Sequence, residues 1–255
     1  MPDLFMGRGL GCIQDPLDRR DFAIRMFLAA DRISLPKSKM YEHPSSVRDQ
    51  GALGSCVGHA CAALKEFQEV QQRNRTPFRD VSEAWIYWKA KEIDPWEVFE
   101  EGTSFRYALK VLNKEGVPTE KAWPYKPINT LQGRGKPKFW AGIVARWGKI
   151  KTYARIESIP QMKETLVLKG PFLLGIMCFN GIFSPSATSA MVSMPKAGES
   201  PQGGHAILIM GYDDDLSAFW FRNSWGTHWG KDGYAWLPYQ YVDQYMLDAW
   251  SVVDL

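Results

Sequence analysis

One cysteine stands where a predicted loop becomes a predicted helix. Residues 50–55 carry three glycine or serine breaks, which is typical of a tight loop, and apolar residues at i, i+3, i+4 and i+7 from Ala60 form one helical face. Cys56 lies at the junction, where unpaired N–H groups and the helix dipole favour the nucleophilic thiolate. The Gln50 amide could help a backbone N–H to stabilise an oxyanion beside the sulfur. An isolated cysteine in such a place is more often a small core residue.

Two later stretches of the sequence favour the nucleophilic role of Cys56 over the structural one. Residues 203–212 begin with Gly-Gly-His-Ala and end with Gly-Tyr, and residues 221–230 contain Asn-Ser-Trp-Gly-x-x-Trp-Gly. Together with the Gln-x-x-x-Gly-Ser-Cys stretch, and in this order, they resemble the papain-like cysteine peptidase family. The resemblance runs from about residue 35 to the C-terminus, and the chain is most similar to bacterial members with a short N-terminal extension. Three motifs in order are a strong signal, whereas each alone would be weak.

The resemblance implies a role for each polar side chain. His205 would be the general base that takes the proton of Cys56 and later gives it to the leaving amine. Asn223 would hold the histidine ring through its side-chain carbonyl, and Trp225, expected among the substrate-binding residues, would shield that contact from water. Gln50 would stabilise the tetrahedral oxyanion, and an acyl-enzyme would then be hydrolysed by water.

The resemblance also implies where an extended substrate would bind. Gly102 stands at the glycine-rich edge that hydrogen-bonds substrate backbone, and Thr103 replaces a glycine that is common at the next position. Phe105 would border the second specificity subsite, and Gly204, just before His205, occupies a position where some members carry an acidic or bulky residue. We expect this pocket to prefer a hydrophobic side chain two positions before the scissile bond.

The other histidines and cysteines are expected to have structural or surface positions. His59 is a weaker candidate for the base, because its side chain would point along its own helix. Cys61 would pack in the core, and His43 and His228 would lie at the surface. No Cys/His spacing predicts a zinc site, so we expect neither a metal nor a cofactor.

The composition limits which binding partners and which cellular compartment are expected. The net charge of +3, from 31 basic and 28 acidic residues, predicts neither nucleic-acid nor membrane binding. A peptide or protein substrate is therefore the only expected partner, and the oligomeric state is left open. No secretory signal or membrane span is predicted, and Leu53 replaces a disulfide cysteine of secreted relatives, so the location is expected to be cytoplasmic or is left open.

The pattern along the chain predicts an α+β protein. Helices are expected from Cys56 to about Arg73, from Ser82 onward, from about Ser104 to Asn113, and after Ser158, where a capping box with Gln161 is expected. Apolar runs predict strands at residues 172–179, 206–212, 219–221 and 234–237. The resemblance implies two lobes with the active-site cleft between them, a helical one and one resembling an antiparallel β-barrel.

The predicted division of the chain has three parts. Residues 1–32 would be an N-terminal extension, either a short propeptide that restrains access to the cleft or a surface tail. Residues 33–148 would form the helical lobe, and residues 149–255 the β-rich lobe with the histidine and asparagine. The leading hypothesis is a cysteine endopeptidase. The alternatives are a catalytically silent peptide-binding protein of the same fold and an acyltransferase that uses the same nucleophile.

Overall fold

The computed structural model confirms the α+β class. It describes residues 7–28, 34–73, 79–97, 100–128, 130 and 133–253. The α-helices within these ranges are α1 (Cys56–Arg73), α2 (Glu83–Lys91), α3 (Phe105–Lys114), α4 (Ala141–Ala145), α5 (Ile159–Leu168) and α6 (Tyr239–Tyr245). The strands are β1 (Phe22–Ala23), β2 (Ser38–Met40), β3 (Thr152–Ile156), β4 (Phe172–Cys178), β5 (Gly203–Asp213), β6 (Ala218–Arg222), β7 (Tyr234–Pro238) and β8 (Met246–Val253).

The helical lobe is built around α1, which packs against α2, α3 and β5. The predicted N-cap of α2 is confirmed, since the Ser82 hydroxyl accepts a hydrogen bond from the N–H of Trp85. Trp85 and Trp88 are buried in the core that α1 and α2 share. Burial of such large rings supplies much of the packing energy of this lobe.

The second lobe is an open sheet with the strand order β1-β3-β8-β4-β5-β6-β7, to which β2 adds on β5. The pairs are antiparallel except for β1 with β3. The lobe therefore resembles a barrel only loosely, because the sheet does not close. Its own core, including Phe172, Phe219 and Trp229, lies apart from the core around α1.

Some elements differ from the predictions. The strand β8 was not predicted from the sequence, because Asp248 and Ser251 interrupt its apolar pattern, yet both side chains are buried. The Ser158 cap is confirmed by a bond from the N–H of Gln161, but the Gln161 side chain accepts from the N–H of Glu157 rather than from that of Ser158.

The position predicted for one histidine is wrong. His43 was expected at the surface, but it is half-buried, and its Nε2 lies 2.8 Å from the carbonyl oxygen of Ala63 on α1. His228 is exposed, as expected.

Candidate active site

The predicted nucleophile begins α1. The side chain of Cys56 is completely buried, and backbone N–H groups of Ala206, Gly11 and Val57 face its sulfur. Those N–H groups favour the thiolate, but burial outweighs them and raises the thiol pKa to about 11. Ala206 directly follows His205 in β5, so the packing of α1 on β5 brings the nucleophile and the predicted base to the same place.

The histidine and asparagine of the predicted triad are in contact. Nε2 of His205 lies 2.7 Å from Oδ1 of Asn223, which is the geometry predicted for a side-chain carbonyl that orients the ring. The pairing of β5 with β6 produces this contact, because Asn223 follows the last residue of β6. With Nε2 bound to the amide oxygen, Nδ1 is the nitrogen left for proton transfer, and it has no hydrogen-bond partner among the described residues.

An aromatic side chain covers the pair. The ring of Trp225 stacks on His205 with centroids 4.5 Å apart and is itself buried. Both histidine and asparagine are buried as well, and burial lowers the pKa of His205 to about 4 even though the bond to Asn223 raises it. In this covered form, burial therefore keeps both the Cys56 thiol and the His205 imidazole neutral, whereas the sequence led us to expect a thiolate–imidazolium pair.

The predicted oxyanion group is held in a fixed position. The Gln50 amide nitrogen donates to the carbonyl oxygens of Leu53, at 2.8 Å, and Gly9, at 3.0 Å. The amide oxygen of Gln50 accepts a hydrogen bond from the hydroxyl of Ser224, the residue after Asn223. Gln50 thus connects the loop before α1 to the end of β6, and a carbonyl oxygen already occupies the position beside its donor.

The carbonyl of Gly9 belongs to the N-terminal segment. Residues 8–15, which we call the strap, lie across the cleft between the lobes. The N–H of Gly9 donates to the carbonyl of Gly51, and that of Cys12 donates to the carbonyl of Gly204, at 3.0 and 2.9 Å. An added Cβ at Gly9 would lie 2.1 Å from the oxygen of Leu53, so glycine permits this close approach.

The strap also pairs with the predicted substrate-binding edge. The N–H of Thr103 donates to the carbonyl of Gly11 at 2.9 Å, and the carbonyl of Thr103 accepts from Ile13 at 3.0 Å. Gly102 has φ +94° and lies so close to the strap that an added Cβ would be 2.7 Å from the oxygen of Gly11. The strap pairs with this edge in the parallel direction, through Cys12 and Thr103.

A pocket next to this edge holds one strap side chain. The sulfur of Cys12 and the ring of Phe105 both lie against Gly175, at 3.0 and 3.4 Å from the position of an added Cβ there. Gly175 pairs with Asp248 across β4 and β8. The negative charge of the Asp248 carboxylate disfavours ionisation of the Cys12 thiol. Burial and this charge raise the pKa of Cys12, and burial raises the pKa of Asp248 to about 6.

The strap ends in a carboxylate that caps a helix. Asp15 accepts hydrogen bonds from the Ser104 hydroxyl and from the N–H of Arg106, at the first turn of α3. Ser104 is the N-cap residue of α3 but makes no side-chain cap bond of its own. The N–H of Asp15 donates to Asp248 at 3.0 Å, which ties the end of the strap to both lobes.

The structure places the remaining candidate outside this arrangement. Nδ1 of His59 lies 3.2 Å from the carbonyl oxygen of Ser55, and its ring meets the ring of Tyr125 edge to face. Burial lowers the pKa of His59 to about 4. These contacts support the expectation that His59 is a structural residue of α1.

Sequence reasoning missed several residues of the site. Tyr125, assigned only to a connector, bonds through its hydroxyl to the Gln50 carbonyl at 2.8 Å and the Ser55 hydroxyl at 2.6 Å. Asp15 and Asp248 were not singled out, nor were the alternating glycines at positions 7, 9 and 11. The glycines were the available signal, because such a pattern lets a backbone lie flat against another one.

Comparisons with known proteins show the family of the chain. The family model described as papain family cysteine protease matches residues 36–249. The crystal structure of xylellain, a cysteine protease from Xylella fastidiosa, is 30% identical, covers 97% of each chain and gives a TM-score of 0.86. The chain belongs to the papain family of cysteine proteases, and it is therefore a cysteine peptidase, a hydrolase, by class.

Two further relatives show how far the similarity extends. A peptidase C1-like protein of Acanthamoeba polyphaga mimivirus is 34% identical over 219 residues, which are 81% of this chain and 69% of that protein. A viral cathepsin of Adoxophyes honmai nucleopolyhedrovirus is 26% identical over 198 residues, which are 74% of this chain. That match spans about half of the cathepsin, at 52% of its length.

Proposed function

We propose that this protein is a cysteine endopeptidase that acts through Cys56, His205 and Asn223, and that the strap restrains it. The single observation that carries the proposal is the contact between His205 Nε2 and Asn223 Oδ1 beside the buried nucleophile. It leaves Nδ1 of His205 for the thiol proton and holds the ring in one orientation.

The chemistry follows from this arrangement. Cys56 would transfer its proton to His205 as the sulfur attacks the carbonyl carbon of a peptide bond, and the imidazolium would then protonate the leaving amine. The Gln50 amide and a backbone N–H at the start of α1 would stabilise the oxyanion. Water, activated by the neutral imidazole, would release the acid product and restore the thiol.

The strap supports the proposed restraint for a geometric reason. Its Gly9 carbonyl oxygen accepts from the Gln50 amide, and the N–H of its Gly11 faces the Cys56 sulfur. The strap therefore occupies the cleft beside both groups. Its departure would return water to the site, and the burial that keeps both Cys56 and His205 neutral would be reduced.

The pocket around Gly175 supports a proposal on specificity. Phe105 gives it an apolar wall, which favours the hydrophobic side chain expected from the sequence. The Asp248 carboxylate adds a negative charge that a lysine or arginine head could pair with. A peptide library cleaved by the strap-free enzyme tests this. Dominant basic residues at this position would contradict the hydrophobic preference and assign the specificity to Asp248, and dominant acidic residues would contradict both.

The experiment that tests the triad uses alkylation and hydrolysis together. With residues 1–14 deleted, Cys56 should react with iodoacetamide faster than the other cysteines, and the chain should cleave unfolded casein. A Cys56→Ala variant of the same length should do neither, and His205→Ala should lose both casein hydrolysis and the enhanced alkylation. Alkylation without hydrolysis would instead favour the catalytically silent binding protein. Product transfer to an added amine would favour the acyltransferase.

A further inference from the structure

Positive charge is concentrated in one stretch of the chain. Residues 121–156 hold nine of the 31 lysines and arginines and none of the 28 acidic residues, so the rest of the chain is net negative. The whole-chain charge of +3 conceals this asymmetry. Such asymmetry is typical of proteins that bind polyanions or anionic membranes.

Helix α4 lies in this stretch and has two different faces. Ala141 and Ala145, four residues apart, are fully buried in the core of the helical lobe. Ile143 lies on the side of α4 opposite the two alanines, Phe139 stands in the turn before the helix, and Trp147 stands in the 3-10 turn after it. The three side chains are 67%, 98% and 69% exposed. Spaced four residues apart, they form an exposed series of large apolar side chains on and beside α4, two of them aromatic, which we call the stripe.

Cations border this stripe. Lys136, Lys138, Arg146 and Lys149 are all exposed. None of them forms an ion pair within the described ranges of the chain. Their charge is consequently not neutralised by a neighbouring carboxylate.

We propose that this surface, formed by the three apolar side chains and the four cations and called the α4 surface, docks on an anionic lipid bilayer. Phe139 and Trp147 would enter the headgroup region with Ile143 between them, while the cations contact lipid phosphates. An exposed apolar stripe with bordering cations has the chemistry of helices that lie in a membrane interface. Among the described residues, no helix is long and apolar enough to cross a bilayer.

The observations favour lipid over two other occupants. Binding of single-stranded nucleic acid depends on rings that stack on bases, whereas the aliphatic Ile143 stands between the two rings of this stripe. A second copy of the chain would bring like charges together, which disfavours self-association through the same face. An acyl-chain interface accepts aromatic and aliphatic side chains alike.

The test measures sedimentation of the full chain with vesicles. One set contains phosphatidylcholine alone, and the other contains about one-third phosphatidylglycerol, which supplies the negative surface charge. We expect binding to the anionic set only. Replacing Lys136 and Lys149 by glutamine should lower the partition coefficient roughly 30-fold, from about fivefold per cation. Replacing Phe139 and Trp147 by serine should lower it at least ~10-fold.

Matched controls come from the β-rich lobe. Leu216, 49% exposed in an acidic turn, is replaced by serine, and the exposed Lys231 by glutamine. Both controls should bind vesicles like the unchanged chain. Equal binding to neutral and anionic vesicles would overturn the proposal, as would unchanged binding of the serine variant. Binding to a DNA oligonucleotide without binding to vesicles would assign the surface to nucleic acid instead. The charge variant and the comparison of vesicles decide the matter even if the serine variant does not fold.

Discussion

The glycine at position 11 offers a sharp test of the strap, because its replacement changes the strap and leaves the proposed catalytic side chains in place. At ideal geometry the Cβ of Gly11→Ala would lie 2.0 Å from the carbonyl oxygen of Gly54. That distance is far below van der Waals contact with a backbone atom, so the strap must move. The two nearest strap hydrogen bonds, from Thr103 and to Gly204, would be lost with it.

The size of the effect follows from those two bonds. Each contributes about 1 kcal/mol, so the open form gains about 2 kcal/mol relative to the covered form. The open fraction should then rise roughly 30-fold, as long as the cleft of the unchanged chain is mostly covered. Because the thiol reacts only when uncovered, the alkylation rate of Cys56 should rise by the same factor.

The assay is mass-spectrometric mapping of iodoacetamide adducts over time, with casein hydrolysis measured in parallel. Gly142→Ala is the matched control, because an added Cβ there would meet nothing closer than 3.9 Å. Gly9→Ala should act like Gly11→Ala. If both strap variants alkylate and hydrolyse at the rate of the Gly142→Ala chain, the strap does not govern access to the nucleophile.

Three other outcomes are expected. Asp15→Ala should remove the bonds to Ser104 and to the start of α3, raising Cys56 alkylation about 10-fold or more; an unchanged rate would mean that the strap is held elsewhere. His59→Gln should flatten the pH dependence of the free energy of unfolding. The pKa of His59 in the folded protein, about 4, lies below the ordinary value of 6.5, so its contribution to stability is fully present above pH 6.5 and is lost towards pH 4. The loss should be about 3 kcal/mol for this residue. Denaturant titrations at pH 6.5 and at pH 4 measure this free energy for the unchanged chain and for the variant. The same pH dependence in both proteins would contradict the reasoning. In the strap-free chain, Asn223→Ala should lower kcat about 100-fold or more with a smaller change in KM, since only ring orientation is lost; steady-state kinetics on one peptide decide it.

Much of the fold was predictable because local signals agreed with the packing. The glycine-rich loop and the apolar spacing after Cys56 placed α1 correctly, and Ser82 marked the start of α2 through its cap. The strand β8 escaped prediction because Asp248 is satisfied by partners distant in sequence, such as the N–H of Asp15. Period-two patterns fail where a buried polar side chain is bonded across the chain.

The candidate site, like the fold, could be predicted only in part from the sequence. The prediction of Cys56, His205, Asn223 and Gln50 as site residues was possible because a family resemblance carries residue types and order. The strap was anticipated only as an extension that could limit access, since the contact of Gly9 with the loop before α1 spans more than 40 residues of sequence. The pKa values of Cys56 and His205 depend on that covering, and no local sequence pattern reports it.

If the strap restrains the enzyme as proposed, the blocking segment is present at a fixed effective concentration however dilute the protein becomes, because the strap and the cleft belong to one polypeptide. Such tethering corresponds to concentrations of about the millimolar range for short connections. A free peptide with the strap sequence would therefore have to reach that range before it replaced the strap. Dilution alone would never free the enzyme, whereas a single cut in the connection would turn the segment into a weak ligand that diffuses away.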